Sequence, residues 1–109
     1  MDSQEIQGIA FQIILHSGDA RTLLHEAMTA MRKEDFDLAD EKMHAAHAAL
    51  IEAHKSQTNL LTEYANGTKI EMEVILVHAQ DHLMTTTTLE ETAIELEHVY
   101  KKLSEISNH

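Results

Sequence analysis

The chain has 109 residues, three glycines, no proline and no cysteine, and a formal net charge of −11 from 19 acidic against 8 basic residues. Lacking cysteine, it can form no disulfide and perform no thiol chemistry. Lacking a basic stripe, it is unsuited to nucleic acid or an anionic membrane surface, and no segment approaches the roughly 20 apolar residues that span a bilayer.

The length suggests one domain, residues 1–109. Plentiful alanine, leucine, glutamate and methionine point to an almost wholly helical chain. With two phenylalanines and two tyrosines the core of a lone bundle would be thin, and self-association would add burial.

A first helix is expected from about Asp2 to Arg32. Ile6, Ile9, Ile13, Ala20, Leu24, Ala27 and Met31 recur at steps of three, four or their sum, the spacing of one helix face. Gly18 interrupts that pattern, and glycine costs a helix interior about 1 kcal/mol relative to alanine. Either the helix breaks there or Gly18 lets a neighbouring backbone come close. One continuous helix is the expectation.

Lys33-Glu34-Asp35 has no apolar residue and reads as a turn, with Asp35 as N-cap of the next helix. The second helix carries Phe36, Ala39, Met43, Ala46, Leu50, Ala53, Leu60 and Tyr64 on one stripe. It stops at Ala65-Asn66-Gly67, where Gly67 suits the left-handed cap position. Thr68 and Glu71 fit a capping box, so the third helix is expected from Lys69 to about Ser104. The β-branched run Thr85–Thr88 lowers helix propensity, but its flanks are strong helix formers and the helix is expected to continue. Two short turns joining three long helices imply antiparallel neighbours, hence an all-α, up-down-up three-helix bundle.

The third helix has two apolar faces. One carries Ile70, Val74, Val77, Met84 and Thr88, with Asp81 in its middle; the other carries Met72, Ile75, Ala79, Leu83, Ala93 and Leu96. One face can pack inside the protomer and the other against a second copy. A carboxylate in an apolar seam is costly unless paired or bound to a cation. Asp81 is therefore either solvated at a rim or shared between symmetry copies around an oxygen-ligated ion.

His78, Asp81 and His82 stand at i, i+3 and i+4, on one side of one turn. That spacing can seat zinc through His78 and His82, though the His-Glu-x-x-His hydrolase motif is absent. It equally suits a neutral imidazole acting as nucleophile toward phosphorus, with Gln80 and His82 as donors to phosphoryl oxygens. A structural role is the third possibility, and the residues alone leave all three open. His44, His47 and His54 read as accidents of a polar face, and His25, His98 and His109 as surface residues.

Val77-His78-Ala79-Gln80-Asp81-His82-Leu83-Met84 resembles the signature of IIA proteins from the lactose/cellobiose family of the bacterial sugar phosphotransferase system. Ser17-Gly18-Asp19-Ala20-Arg21 is similar to the family's helix-one motif, with Thr22 where serine is usual, and Ala53-His54-Lys55-Ser56-Gln57-Thr58 to its helix-two motif. The likeness runs from about Ile6 to Leu103.

The resemblance implies a cytoplasmic homotrimer of three-helix protomers. It implies that His78 accepts a phosphoryl group from phosphorylated HPr through Nε2, and that the group passes to a cysteine of the cognate IIB protein during uptake of a β-linked disaccharide. His82 and Gln80 would line the phosphorylation site. Three copies of Asp81 would bind one Mg2+ on the trimer axis. The absence of cysteine agrees, because this chain cannot be the cysteine-bearing IIB partner.

Overall fold

In the computed structural model, which describes residues 1–108, three helices follow one another: α1 (Ser3–Arg32), α2 (Phe36–Ala65) and α3 (Val74–Ser107). His109 lies outside the described residues. Asp2 caps α1, its Oδ1 accepting from the Glu5 amide at 2.8 Å. Asp35 caps α2, its Oδ1 accepting from the Leu38 amide at 3.2 Å. Each cap satisfies an amide that the first helical turn would leave without a partner. Helix α1 is unbroken through Gly18.

Both α1 and α2 end in the same way. The Gly67 amide donates to the Tyr64 carbonyl at 3.1 Å and the Thr68 amide to the Glu63 carbonyl at 3.0 Å, with Gly67 at φ +93°. This is a Schellman closure with glycine in the left-handed position. At the end of α1, Glu34 fills that position at φ 61°, its amide donating to Met31 and the Asp35 amide to Ala30.

The start of the third helix departs from expectation. Thr68 does not cap α3; its hydroxyl donates to Glu63 Oε2 at 2.9 Å, completing the end of α2. Residues 68–73 stay irregular and are held at the N-terminus of α1. There the Met1 ammonium donates to the Lys69 carbonyl at 3.1 Å and the Ser3 hydroxyl to Glu73 Oε1 at 2.8 Å. The Thr68 amide and hydroxyl, which a local capping box would have used, are both taken by Glu63, and α3 begins at Val74 instead of Lys69.

The threonine run stays helical, and its hydroxyls bond back to the preceding turn. Thr85, Thr87 and Thr88 donate to the carbonyls of Asp81, Leu83 and Met84 at 2.9, 2.8 and 3.2 Å. Thr86 is fully buried and its hydroxyl has no partner among the described residues.

Helix α1 packs extensively on both other helices, whereas α2 and α3 touch less. The core is rich in alanine: Ala10, Ala20, Ala27, Ala39, Ala46, Ala53, Ala79 and Ala93 are all fully buried, which lets the helices approach closely. Larger side chains fill the layers between them, with Ile6, Ile13, Leu50, Leu60, Leu76 and Leu83 in the main cluster. Tyr64, expected on the buried stripe of α2, is exposed instead at its last turn. Contacts between α2 and α3 run in opposite senses along the two helices: His54 meets Thr87, His47 meets Glu90, and Asp40 meets Lys101. The body is a rod, 61 × 20 × 19 Å.

Candidate functional site

On α3, Leu76, Ala79, Leu83 and Thr86 are fully buried against α1 and α2. Burying that face turns the next one outward. Val74, Val77 and Met84 are 87, 52 and 55 % exposed, and Asp81 is exposed among them. Of the two apolar faces read from the sequence, one is therefore packed in the protomer and the one bearing Asp81 is uncovered.

His78 lies on the second turn of α3 and is exposed; His82, one turn on, is half-buried. Their rings lie face to face, with centroids 6.2 Å apart and planes 5° from parallel. His82 is backed by α1, its Nε2 standing 3.7 Å from where a Cβ on Gly18 would be. His78 and Asp81 also share a shallow depression with Met72, Glu73, Val74 and Val77. The irregular segment before α3 thus supplies part of the wall, a contribution hidden from any reading that began α3 at Lys69.

Gln80 is not brought to this depression within one chain. Two residues on from His78 is about 200° round the helix, toward the opposite side. The helix-one motif reaches His82 through Gly18, whereas the helix-two motif does not line the depression. His54, read as a surface accident, is half-buried, with Nε2 3.2 Å from Thr87 Oγ1. In the same motif Gln57 has a buried Oε1 without a partner among the described residues. His47 is exposed and meets Glu90 Oε2 at 2.9 Å.

The geometry weighs against a zinc chelate on one chain. Imidazole lone pairs lie in the ring plane, and two parallel, stacked planes share no point where a common ion could sit. Among the described residues, no three His, Asp or Glu side chains converge as a metal-ligand set. A shared axial cation is a different matter. The Asp81 carboxylate has no hydrogen bond or ion pair among the described residues; it stands on an uncovered apolar stripe, where symmetry copies could meet. Those residues fit an oxygen-ligated ion supplied by several chains at once.

Far from this site, roughly 28 Å along α3 from His78, Glu97 and Asp40 lie together beside Lys101. The Lys101 Nζ is 3.8 Å from Asp40 and 4.0 Å from Glu97. Burial, then the hydrogen bond and charge of Asp40, push the Glu97 carboxyl above its ordinary value; Lys101 and His98 offset this in part.

The family model for the lactose/cellobiose-specific IIA subunit of the PTS system matches residues 8–101. A lactose-specific EIIA component of Staphylococcus epidermidis is 40% identical over 102 residues, covering 94% of this chain and 98% of its own length. The crystal structure of PtcA from S. mutans superposes with a TM-score of 0.91 at 54% identity, over 93% of this chain and 99% of that one. The chitobiose IIA protein of the Escherichia coli phosphotransferase system, solved in complex with HPr, has a TM-score of 0.78 at 35% identity, over 91% and 96% of the two chains. No helix among the described residues is long and apolar enough to cross a membrane.

Proposed function

The chain belongs to the lactose/cellobiose-specific IIA family of the sugar phosphotransferase system, and we propose that it is a phosphocarrier in which His78 receives and hands on the phosphoryl group. The observation that carries this reading is an exposed His78, stacked on His82, at the edge of an open depression. A histidine that must meet two different proteins in turn has to be accessible, and no lid covers it.

The chemistry is an exchange of P–N and P–S bonds. His78 Nε2 attacks the phosphorus of a phosphorylated donor; a bond to His78 forms as the donor's own bond to phosphorus breaks. In the second transfer a cysteine thiolate of the IIB partner attacks the same phosphorus and His78 leaves as neutral imidazole. HPr as donor is supported by the related chitobiose protein having been solved in complex with HPr. The acidic charge of −11 favours fast, weakly held encounters with basic faces on such carriers. His82 orients His78 and stands beside the incoming phosphoryl group. The cargo is the phosphoryl group of a β-linked disaccharide system acting in the cytoplasm. This chain meets the protein carriers and never the sugar.

The single domain, residues 1–109, is an up-down-up bundle, a reading supported by the opposed run of α2 and α3 contacts. Three such protomers assemble through the uncovered Val74–Val77–Met84 face of α3, bringing three Asp81 carboxylates to the threefold axis. Mg2+, when bound there, would neutralise their mutual repulsion; its role is structural.

The test is phosphorylation from labelled phosphoenolpyruvate through enzyme I and HPr. Wild type takes up label and passes it to its IIB partner, while His78→Gln remains a trimer by sedimentation and takes up none. Full labelling of the variant would remove His78 as the carrier.

A further inference from the structure

Gly18 sits in the middle of a 30-residue helix, in a backbone conformation that does not require glycine. Glycine is the poorest helix former after proline, so its presence there is locally unfavourable. Of the three glycines it alone has a neighbour near its missing side chain, and that neighbour is His82 Nε2, 3.7 Å from the Cβ position. Ser17 before it and Ala20 two residues on are fully buried, while Asp19 between them is exposed. His82 in turn lies face to face with His78. Gly18, His82 and His78 therefore stand in line, from the backbone of α1 to the ring proposed to carry phosphate.

We propose that Gly18 is a positioning residue for phosphoryl transfer: its bare backbone is the seat on which the His82 ring rests, and that seat sets the plane in which His78 is held. The inference rests on the reading of His78 as carrier, but its structural half stands without it. The space at Gly18 is graded. A single methyl at 3.7 Å makes ordinary van der Waals contact and can be accepted. A branched side chain carries atoms a further bond beyond Cβ and must push the His82 ring out of its stack. A displacement of about 1 Å in a catalytic arrangement costs on the order of a hundredfold in rate.

The experiment combines nuclear magnetic resonance on the unphosphorylated protein, at one fixed pH, with HPr-dependent phosphorylation. In wild type the His82 ring protons give nuclear Overhauser contacts to the Gly18 α-protons. Gly18→Val, folded by circular dichroism, loses those contacts, shifts the His82 and His78 ring signals while leaving those of His47 in place, and slows phosphorylation by about a hundredfold. Gly18→Ala, the conservative variant, restores both the ring signals and the rate. Adding His82→Ala to Gly18→Val costs nothing further, because both changes act through one ring.

Additive losses in that pair, or undisturbed ring signals in Gly18→Val, would overturn the proposal. If Gly18→Val fails to fold, the wild-type spectrum still decides: absence of the His82–Gly18 contact overturns it and presence supports it. A wild-type chain that shows the contact but takes no phosphoryl group from HPr would instead refute the carrier reading and leave the seat standing.

Discussion

Within the run Thr85–Thr88, one hydroxyl is stranded and its neighbour is doubly engaged, so the same substitution should have opposite signs one residue apart. Thr86 is 0 % exposed and its Oγ1 has no partner among the described residues. Leaving a buried hydroxyl unsatisfied costs about 1–3 kcal/mol. Thr86→Val keeps the β-branched shape and nearly the same helix propensity, and removes the stranded oxygen. Stability should rise by about 1–2 kcal/mol, with roughly 4–8 °C in the unfolding midpoint for each kcal/mol in a domain of this size.

Thr87 Oγ1 donates to the Leu83 carbonyl at 2.8 Å and meets His54 Nε2 at 3.2 Å. Thr87→Val deletes both bonds and strands a half-buried imidazole nitrogen, so it should destabilise by about 1–2 kcal/mol. The assay is urea and thermal unfolding of both variants at one protein concentration, since association adds to apparent stability. If both shifts had the same sign, or Thr86→Val lowered stability by more than about 1 kcal/mol, the assignment of the orphan hydroxyl to Thr86 would be wrong.

Glu97→Gln tests the far end of the bundle. Because the fold favours the protonated carboxyl, that group's stabilising contribution is fully present below the ordinary pKa of 4.5 and is lost as pH rises through the raised folded value. The variant mimics the protonated form and can donate an amide hydrogen to Asp40. It should melt higher than wild type at pH 7 and level with it near pH 4; an equal gap at both pH values would refute the burial argument. In the proposed trimer, Asp81→Leu removes three like charges from an apolar seam. Such exchanges are neutral or stabilising by about 1–4 kcal/mol, so this trimer should survive EDTA, which should lower the wild-type melting temperature. Wild type indifferent to EDTA, with unchanged metal content, would dispose of the axial ion.

Much of the architecture is local in origin and was legible in the chain. Asp35, a short acceptor before an apolar run, caps α2 as expected, and Asp2, read only as the approximate start of the first helix, caps α1 in the same way. Gly67 takes the left-handed position that its spacing after Ala65 and Asn66 suggested. The cluster His78, Asp81 and His82 was visible because helical periodicity alone groups i, i+3 and i+4. The same periodicity separates Gln80 from them, and the single chain keeps it apart.

What local pattern could not settle were the places where two distant segments compete for one group. Thr68 had a good local signal for starting a helix, but Glu63 behind it takes its amide and hydroxyl while Met1 and Ser3 hold Lys69 and Glu73 beside α1, and α3 starts later. His54 looked like one polar residue among many until α3 brought Thr87 to it. Gly18 is the sharpest case. Its sequence context posed a break or a close approach by backbone, and the answer is a side chain from a helix more than sixty residues on. Composition, periodicity and caps determined that this chain makes three long helices with a histidine cluster on the last. Only the packing of α3 on α1 decided which face of that helix is buried, which is left for partners, and what the second histidine rests on, because those outcomes depend on contacts between residues far apart in the chain.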